Sequence, residues 1–221
     1  VGQDIQLTAS DNFKLGGYRA DPAGAPKGAI VVIQEIFGVN HHIRNVCDRL
    51  AGEGYVAIAP AIFDRLEPDF TSGYSPDEIA VARKFVANPD WCAMLRDTQA
   101  AIDAAKDAGP VGIIGFCLGG SIAYAAATKL AGLKAAVGYY GGAVLRVADD
   151  KPNDPTQLHF GEKDTGIPLT DVETIKRSGR RSRCSSIRAR SMASTATSGR
   201  ATTRPAPMSP GRAARRSLPS I

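Results

Sequence analysis

Residues 29–33 read Ala-Ile-Val-Val-Ile, a continuous apolar run rich in β-branched side chains. A strand with one wet face alternates apolar and polar residues. An unbroken run belongs to a strand covered on both faces, the situation of a parallel sheet sandwiched between helices. Residues 56–59, 111–114, 135–140 and 157–160 supply further strands, the first of them stopped by Pro60. Helical spacing marks the segments between: residues 43–53 closed by Gly54, a helix opened by Pro76-Asp77-Glu78, residues 91–108, a small-residue helix over 119–129, and a short helix after Pro168. A more polar pair of strands, 5–8 and 13–18, precedes them, and residues 63–75 read as a surface excursion. Strands alternating with helices predict an α/β domain over residues 1–176, with a mainly parallel sheet and helices on both faces.

After Lys176 the pattern stops. Residues 177–221 are mostly Arg, Ser, Ala, Thr and Pro, with 11 Arg, scarcely an apolar residue and neither Lys nor an acidic residue. That leaves 16 basic against 22 acidic residues before it, so the net charge of +5 belongs to the tail alone. The body makes no electrostatic case for a nucleic acid partner, and an Arg-rich tail without aromatic residues is weak support for RNA. No apolar run approaches the roughly 20 residues of a membrane span. The start, Val1-Gly2-Gln3-Asp4, lacks the basic-then-apolar pattern of a signal peptide. Cys47, Cys92, Cys117 and Cys184 form no C-x-x-C pair, so neither a disulfide framework nor a zinc site is expected, and a cytoplasmic setting fits.

The chemistry centres on Gly115-Phe116-Cys117-Leu118-Gly119, which lies between an apolar strand and a small-residue helix. This is a nucleophile elbow in its required context: a sharp turn, flanked by glycines that avoid clashes, presents the thiol at the carboxyl end of the sheet. The N–H groups of the following helix are expected to favour thiolate. The plainer alternative is a structural Cys in a Gly-rich turn. Cys47 and Cys92 read as packing residues. Glu35 follows the strand at 29–33 directly, where α/β sheets keep their chemistry, although alone it reads as a loop acid. Asp164 sits in the turn after the strand at 157–160. Alone it is equally a turn former, but nucleophile followed by acid is the chain order of a hydrolase triad.

Together, Val32-Ile-Gln-Glu-Ile-Phe-Gly38, Gly115-Phe-Cys-Leu-Gly-Gly120, Ala136-Val-Gly-Tyr-Tyr-Gly141 and Gly161-Glu-Lys-Asp164 resemble the dienelactone hydrolase family (carboxymethylenebutenolidases). The resemblance covers residues 1–176 and implies an α/β-hydrolase fold with a Cys-His-Asp triad. Cys117 is then the nucleophile and Asp164 the acid, and Glu35 is the glutamate that helps activate the thiol when substrate binds. The backbone N–H groups of Leu118 and Ile36 form the oxyanion hole. Arg83, in a segment that matches less closely, corresponds to an arginine that holds the substrate carboxylate, and Phe37 and Tyr139 join it as substrate-binding candidates. The family hydrolyses dienelactone or related small lactones and esters without a metal or organic cofactor. A monomer with a small-molecule substrate is expected.

The triad histidine is missing. His41, His42 and His159 all precede Asp164, whereas the family pattern places a His-Gly-Phe motif after one more strand. The tail offers a reason. When its codons are read one base out of register, the junction of Met192 with Ala193 forces glycine, and its neighbours permit histidine and phenylalanine. Residues 191–203 can conceal H-G-F-H-C-D-E-R-A-S-Y-D, and residues 181–188 can conceal V-E-V-F-V-Y-P, a final strand. The leading expectation is thus a dienelactone-hydrolase-like chain with a frameshifted end from about Arg177. The rivals are a non-catalytic ligand-binding relative and a thiol esterase of other specificity.

Overall fold

In the computed structural model, which describes residues 2–148, 150–179 and 184–190, the run at 29–33 is the interior strand it reads as. The strands are β1 (Gln3–Thr8), β2 (Lys14–Ala20), β3 (Ala29–Ile33), β4 (Val56–Pro60), β5 (Val111–Phe116), β6 (Leu133–Tyr139), β7 (Thr156–Gly161) and β8 (Cys184–Arg190). The helices are α1 (His41–Gly52), α2 (Pro76–Lys84), α3 (Trp91–Ala105), α4 (Leu118–Lys129) and α5 (Leu169–Gly179). The sheet order is β1-β2-β4-β3-β5-β6-β7-β8. β1 and β2 form an antiparallel hairpin that joins β4 antiparallel, and every pairing from β4 to β8 is parallel. No helix among the described residues is long and apolar enough to cross a membrane.

Alternate residues of β3 serve opposite faces, as a strand requires. Val31 and Ile33 pack with Ile58, Ile113, Ile102 and Ile122 beneath α3 and α4, whereas Val32 packs with Ala57, Ile43 and Cys47 beneath α1. This two-sided burial is why the run contains no polar residue.

Connectivity places the site. The chain leaving β3 turns through α1 to β4, and the chain leaving β5 turns the other way through α4 to β6, yet β3 and β5 are direct neighbours. Their carboxyl ends therefore flank a crevice at a topological switch point, where open α/β sheets bind ligands. Glu35 leaves one strand and Cys117 the other.

The excursion over residues 63–75 is more firmly tied than its polarity predicts. Phe63 is 1% exposed and stacks on Phe85, whose ring also meets Phe70. Arg65 donates to fully buried Asp97 and pairs with Asp11, and the Asp64 carboxylate accepts the Gly16 N–H at 2.6 Å. Buried Gln34 accepts the Ile62 N–H, and Gly38 bridges to Thr71.

Two expectations need correction. The domain does not stop at Lys176: α5 continues to Gly179, and β8 pairs parallel with β7, from Thr156 opposite Cys184 to Gly161 opposite Arg190. Ladder hydrogen bonds are made by backbone, so an outermost strand can form without the apolar pattern that reveals an interior one. Residues 191–221, which hold the rest of the tail and the segment expected to conceal His-Gly-Phe, lie outside the described residues. Cys92 is exposed on α3, so only Cys47, buried in α1, is a packing residue.

Candidate active site

Cys117 occupies the left-handed region, at φ 53° and ψ −114°, directly before α4. A non-glycine residue there is strained and persists only where its surroundings over-determine it. The surroundings are backbone: the Cys117 N–H donates to the Tyr139 carbonyl at 3.0 Å, and the Cys117 carbonyl accepts the Ser121 N–H. The glycine at 119 shows why the motif reads as it does. A Cβ there lies 2.4 Å from the Ile33 carbonyl oxygen and 2.5 Å from that of Gln34. The first turn of α4 thus sits against the end of β3, which brings the thiol beside Glu35.

Burial is the largest influence on the Cys117 thiol and pushes its pKa up. The Leu118 N–H, aimed at the sulfur, pulls it down, and the Glu35 and Asp164 carboxylates push it up again. The helix terminus acts in the expected direction, and burial, the larger influence, opposes it. It follows that limiting iodoacetamide near neutral pH labels exposed Cys92 before half-buried Cys117, with Cys47 last, in mass-mapped peptides. Cys117 labelled first marks a resting thiolate.

Glu35 is held by two residues that the sequence did not single out. The Tyr140 hydroxyl donates to one carboxylate oxygen at 3.0 Å, and the Tyr74 hydroxyl donates to the other at 3.0 Å. Tyr140 follows β6 at φ 39°, with its N–H on the His159 carbonyl at 2.7 Å. Burial, followed by the Glu35 charge, pushes its phenol well above the usual range, so it stays protonated and donates. Tyr74 reaches the site from the end of the excursion and packs on Phe37, with ring centroids 4.6 Å apart. A tyrosine pair after a strand was the available signal for Tyr140. Tyr74 had none.

The other candidates fall as follows. The N–H of Leu118 faces the thiol; Ile36 is half-buried against the core cluster under α3 and α4, and Phe37 is buried. Asp164 is half-buried, acts electrostatically on Cys117 and accepts the Gly166 N–H at 2.8 Å, so it is also the turn former its context allowed. Tyr139 stacks between Phe116 and His159, away from Glu35's hydrogen bonds. Arg83 is exposed on α2. His41 meets Asn45, His42 lies edge-on to Phe116 and His159 lies on Tyr139. Among the described residues, the charges acting on Cys117 are those of Glu35 and Asp164, and no group of three or more His, Cys, Asp or Glu is placed to hold a metal ion. What the arrangement offers is a strained thiol at a helix N-terminus with two carboxylates near it, suited to attack on an electrophilic carbonyl.

Comparison with known proteins agrees on family and fold. A profile described as the dienelactone hydrolase family matches residues 15–185. A Synechocystis protein assigned to the carboxymethylenebutenolidases is 40% identical over 193 residues, covering 78% of each chain. The carboxymethylenebutenolidase of Pseudomonas putida is 32% identical over 184 residues, covering 78% of this chain and 76% of its own. A Klebsiella pneumoniae crystal structure assigned to the dienelactone hydrolases superposes with a TM-score of 0.73 at 31% identity, covering 87% of both chains.

Proposed function

The chain belongs to the dienelactone hydrolase family, whose members act on ester bonds through an α/β-hydrolase fold, and from that premise we propose that it attacks small lactones or esters through Cys117. The observation that carries this reading is the strained turn of Cys117 between β5 and α4, with Glu35 and Asp164 acting on the sulfur. A thiolate formed there adds to the ester carbonyl, and the oxyanion is met by the Leu118 N–H together with that of Ile36. Collapse expels the alcohol and leaves a thioester on Cys117. Dienelactone, opened to maleylacetate, is the substrate type that fits the relatives' names. Arg83, Phe37 and Tyr139 remain proposed substrate contacts, and a monomer in the cytoplasm is the proposed working form.

Deacylation is the weak step. It needs a base that activates water, and no histidine is among the described groups acting on Cys117. The proposed cause is the one-base shift within the tail, which separates the thiol from a histidine that the shifted reading supplies. The strand β8 overlaps the segment that conceals V-E-V-F-V-Y-P, so the shifted reading extends a position the backbone already occupies.

The test is p-nitrophenyl acetate. The expected outcome is a burst of about one nitrophenol per chain, slow turnover afterwards, and an acetyl group mapped to Cys117. Cys117→Ala removes burst and adduct together. A burst retained by Cys117→Ala, or an adduct elsewhere, overturns the assignment of the nucleophile.

A further inference from the structure

Five large apolar side chains are exposed among the described residues, and their placement has a pattern. Leu66, Tyr74 and Val81 follow β4, Leu145 follows β6 and Leu169 follows β7. These strands run parallel to β3 and β5, so all five residues belong to segments that leave the edge of the sheet where the crevice opens. Two of them extend a cluster that begins at the site. Tyr140, whose hydroxyl donates to Glu35, packs against the buried group that includes Val144, Ile167 and Val172. Leu145, 38% exposed, follows Val144 in the short 3-10 helix Val144–Val147, and Leu169, 50% exposed, opens α5 just after Ile167. Between Tyr140 and that helix the chain carries two glycines. A Cβ at exposed Gly142 has only Ile167 within 4 Å, at 3.8 and 3.9 Å, so the floor there is open.

We propose that the strip running from Tyr140 over Gly142 and Ile167 to Leu145 and Leu169 is an acyl-chain subsite, and that the crevice takes lactones or esters whose acyl half carries a straight alkyl chain. Both ends of the strip start at groups that feel the sulfur. Tyr140 and Asp164 interact electrostatically with Cys117, Gly142 lies two residues beyond Tyr140, and Ile167 lies three beyond Asp164. Two residues of extended chain span at most about 7 Å, which is the reach of an acyl chain of about six carbons. A lactone ring opens without parting, so a chain anywhere on the ring stays with the acyl half on Cys117. The strip is covered from beneath and open above, so it grades chain length more than shape. Each methylene laid on it is covered on one face and tightens binding about twofold, half of full burial on a logarithmic scale.

The inference rests on the reading of Cys117 as nucleophile, but its first test involves no ester, so the two fail separately. The probes are acetamide, butyramide and hexanamide, unreactive copies of the acyl half. They compete with iodoacetamide for the site, with Cys92→Ser as the parent and Cys117 alkylation read by mass mapping. Protection is expected to tighten about fifteenfold from acetamide to hexanamide. Gly142→Leu fills the open floor, in a backbone outside the left-handed region, and is expected to flatten the dependence on chain length. Leu145→Ser combined with Leu169→Ser changes only exposed side chains and is expected to cut the gain to about fourfold. Leu66→Ser, on the excursion, is expected to keep it. The burst rates of p-nitrophenyl hexanoate and acetate, each divided by the rate of that ester with a free thiol, are expected to follow the same order. The subsite is overturned if hexanamide protects no better than acetamide, or if either strip variant leaves the gain intact. It is overturned equally if Leu66→Ser removes the gain, which puts the chain on the excursion. Chain-dependent protection without any burst upholds the subsite and overturns the nucleophile.

Discussion

Reading the codons from about Arg177 onward one base out of register is expected to raise steady-state turnover of p-nitrophenyl acetate by about 10²–10⁴-fold over the chain as it stands, the usual worth of a positioned general base. On the proposed reading the acylation half of the site is already present. Cys117 is in its strained turn, the Leu118 N–H faces it, and Glu35 is within electrostatic reach. What the shifted reading adds is an imidazole after the strand beside β7, to take the thiol proton and then to activate water against the thioester. Asp164 gives the internal control. In the present chain its carboxylate accepts the Gly166 N–H and no histidine follows it in sequence, so Asp164→Asn is expected to change little. In the restored chain it holds the imidazole, and the same substitution costs orders of magnitude. If both chains turn over equally, and both depend on Cys117, the base is an upstream group such as His41, His42 or Glu35, and the account of the tail is wrong about function.

Gly119→Ala is expected to lower stability by about 3 kcal/mol or more, seen as a lower urea midpoint. The added Cβ falls 2.4 Å from one carbonyl oxygen and 2.5 Å from the next, both on the backbone that ends β3. A flexible side chain could swing aside, but these atoms can yield only if α4 lifts from the sheet. The motion also pulls Cys117 from Glu35 and exposes it, so alkylation of Cys117 accelerates alongside the loss of stability. Gly24 is the matched control: nothing lies within 4 Å of its Cβ position, and Gly24→Ala stays within about 0.5 kcal/mol of the parent. A Gly119→Ala chain as stable as the parent removes the steric account of the motif.

How much was legible beforehand follows from how local each cause is. The interior strands announced themselves because burial on both faces forbids polar residues, and β3 shows this most clearly. Pro76 with Asp77 and Glu78 opened α2 as expected, with Ser75 and Glu78 completing a capping box. The placement of Cys117, Glu35 and Asp164 at strand ends was readable because each follows a recognisable strand. β8 was not, since pairing at the sheet's outer edge needs only backbone. The helix terminus before Cys117 is visible in sequence, whereas the desolvation opposing it depends on tertiary packing and was not. Tyr74 and Tyr140 were hidden for a similar reason. Tyr139 continues the alternation of β6 and stacks with Phe116, but the positive φ of Tyr140 turns the next ring elsewhere. Tyr74 arrives only because the Arg65–Asp97 and Gln34–Ile62 contacts anchor the excursion that carries it.

The crevice between β3 and β5 has a consequence for the order in which a ribosome delivers the parts. Glu35, Tyr74, Cys117, the glycines of α4 and Tyr140 all precede residue 141, and the strands that carry the reacting groups, β3 and β5, are neighbours in the sheet. On the proposed reading, only the recycling step depends on chain made later. A lesion late in the gene would then leave a reagent that reacts once and keeps its product, a stoichiometric trap in place of a catalyst.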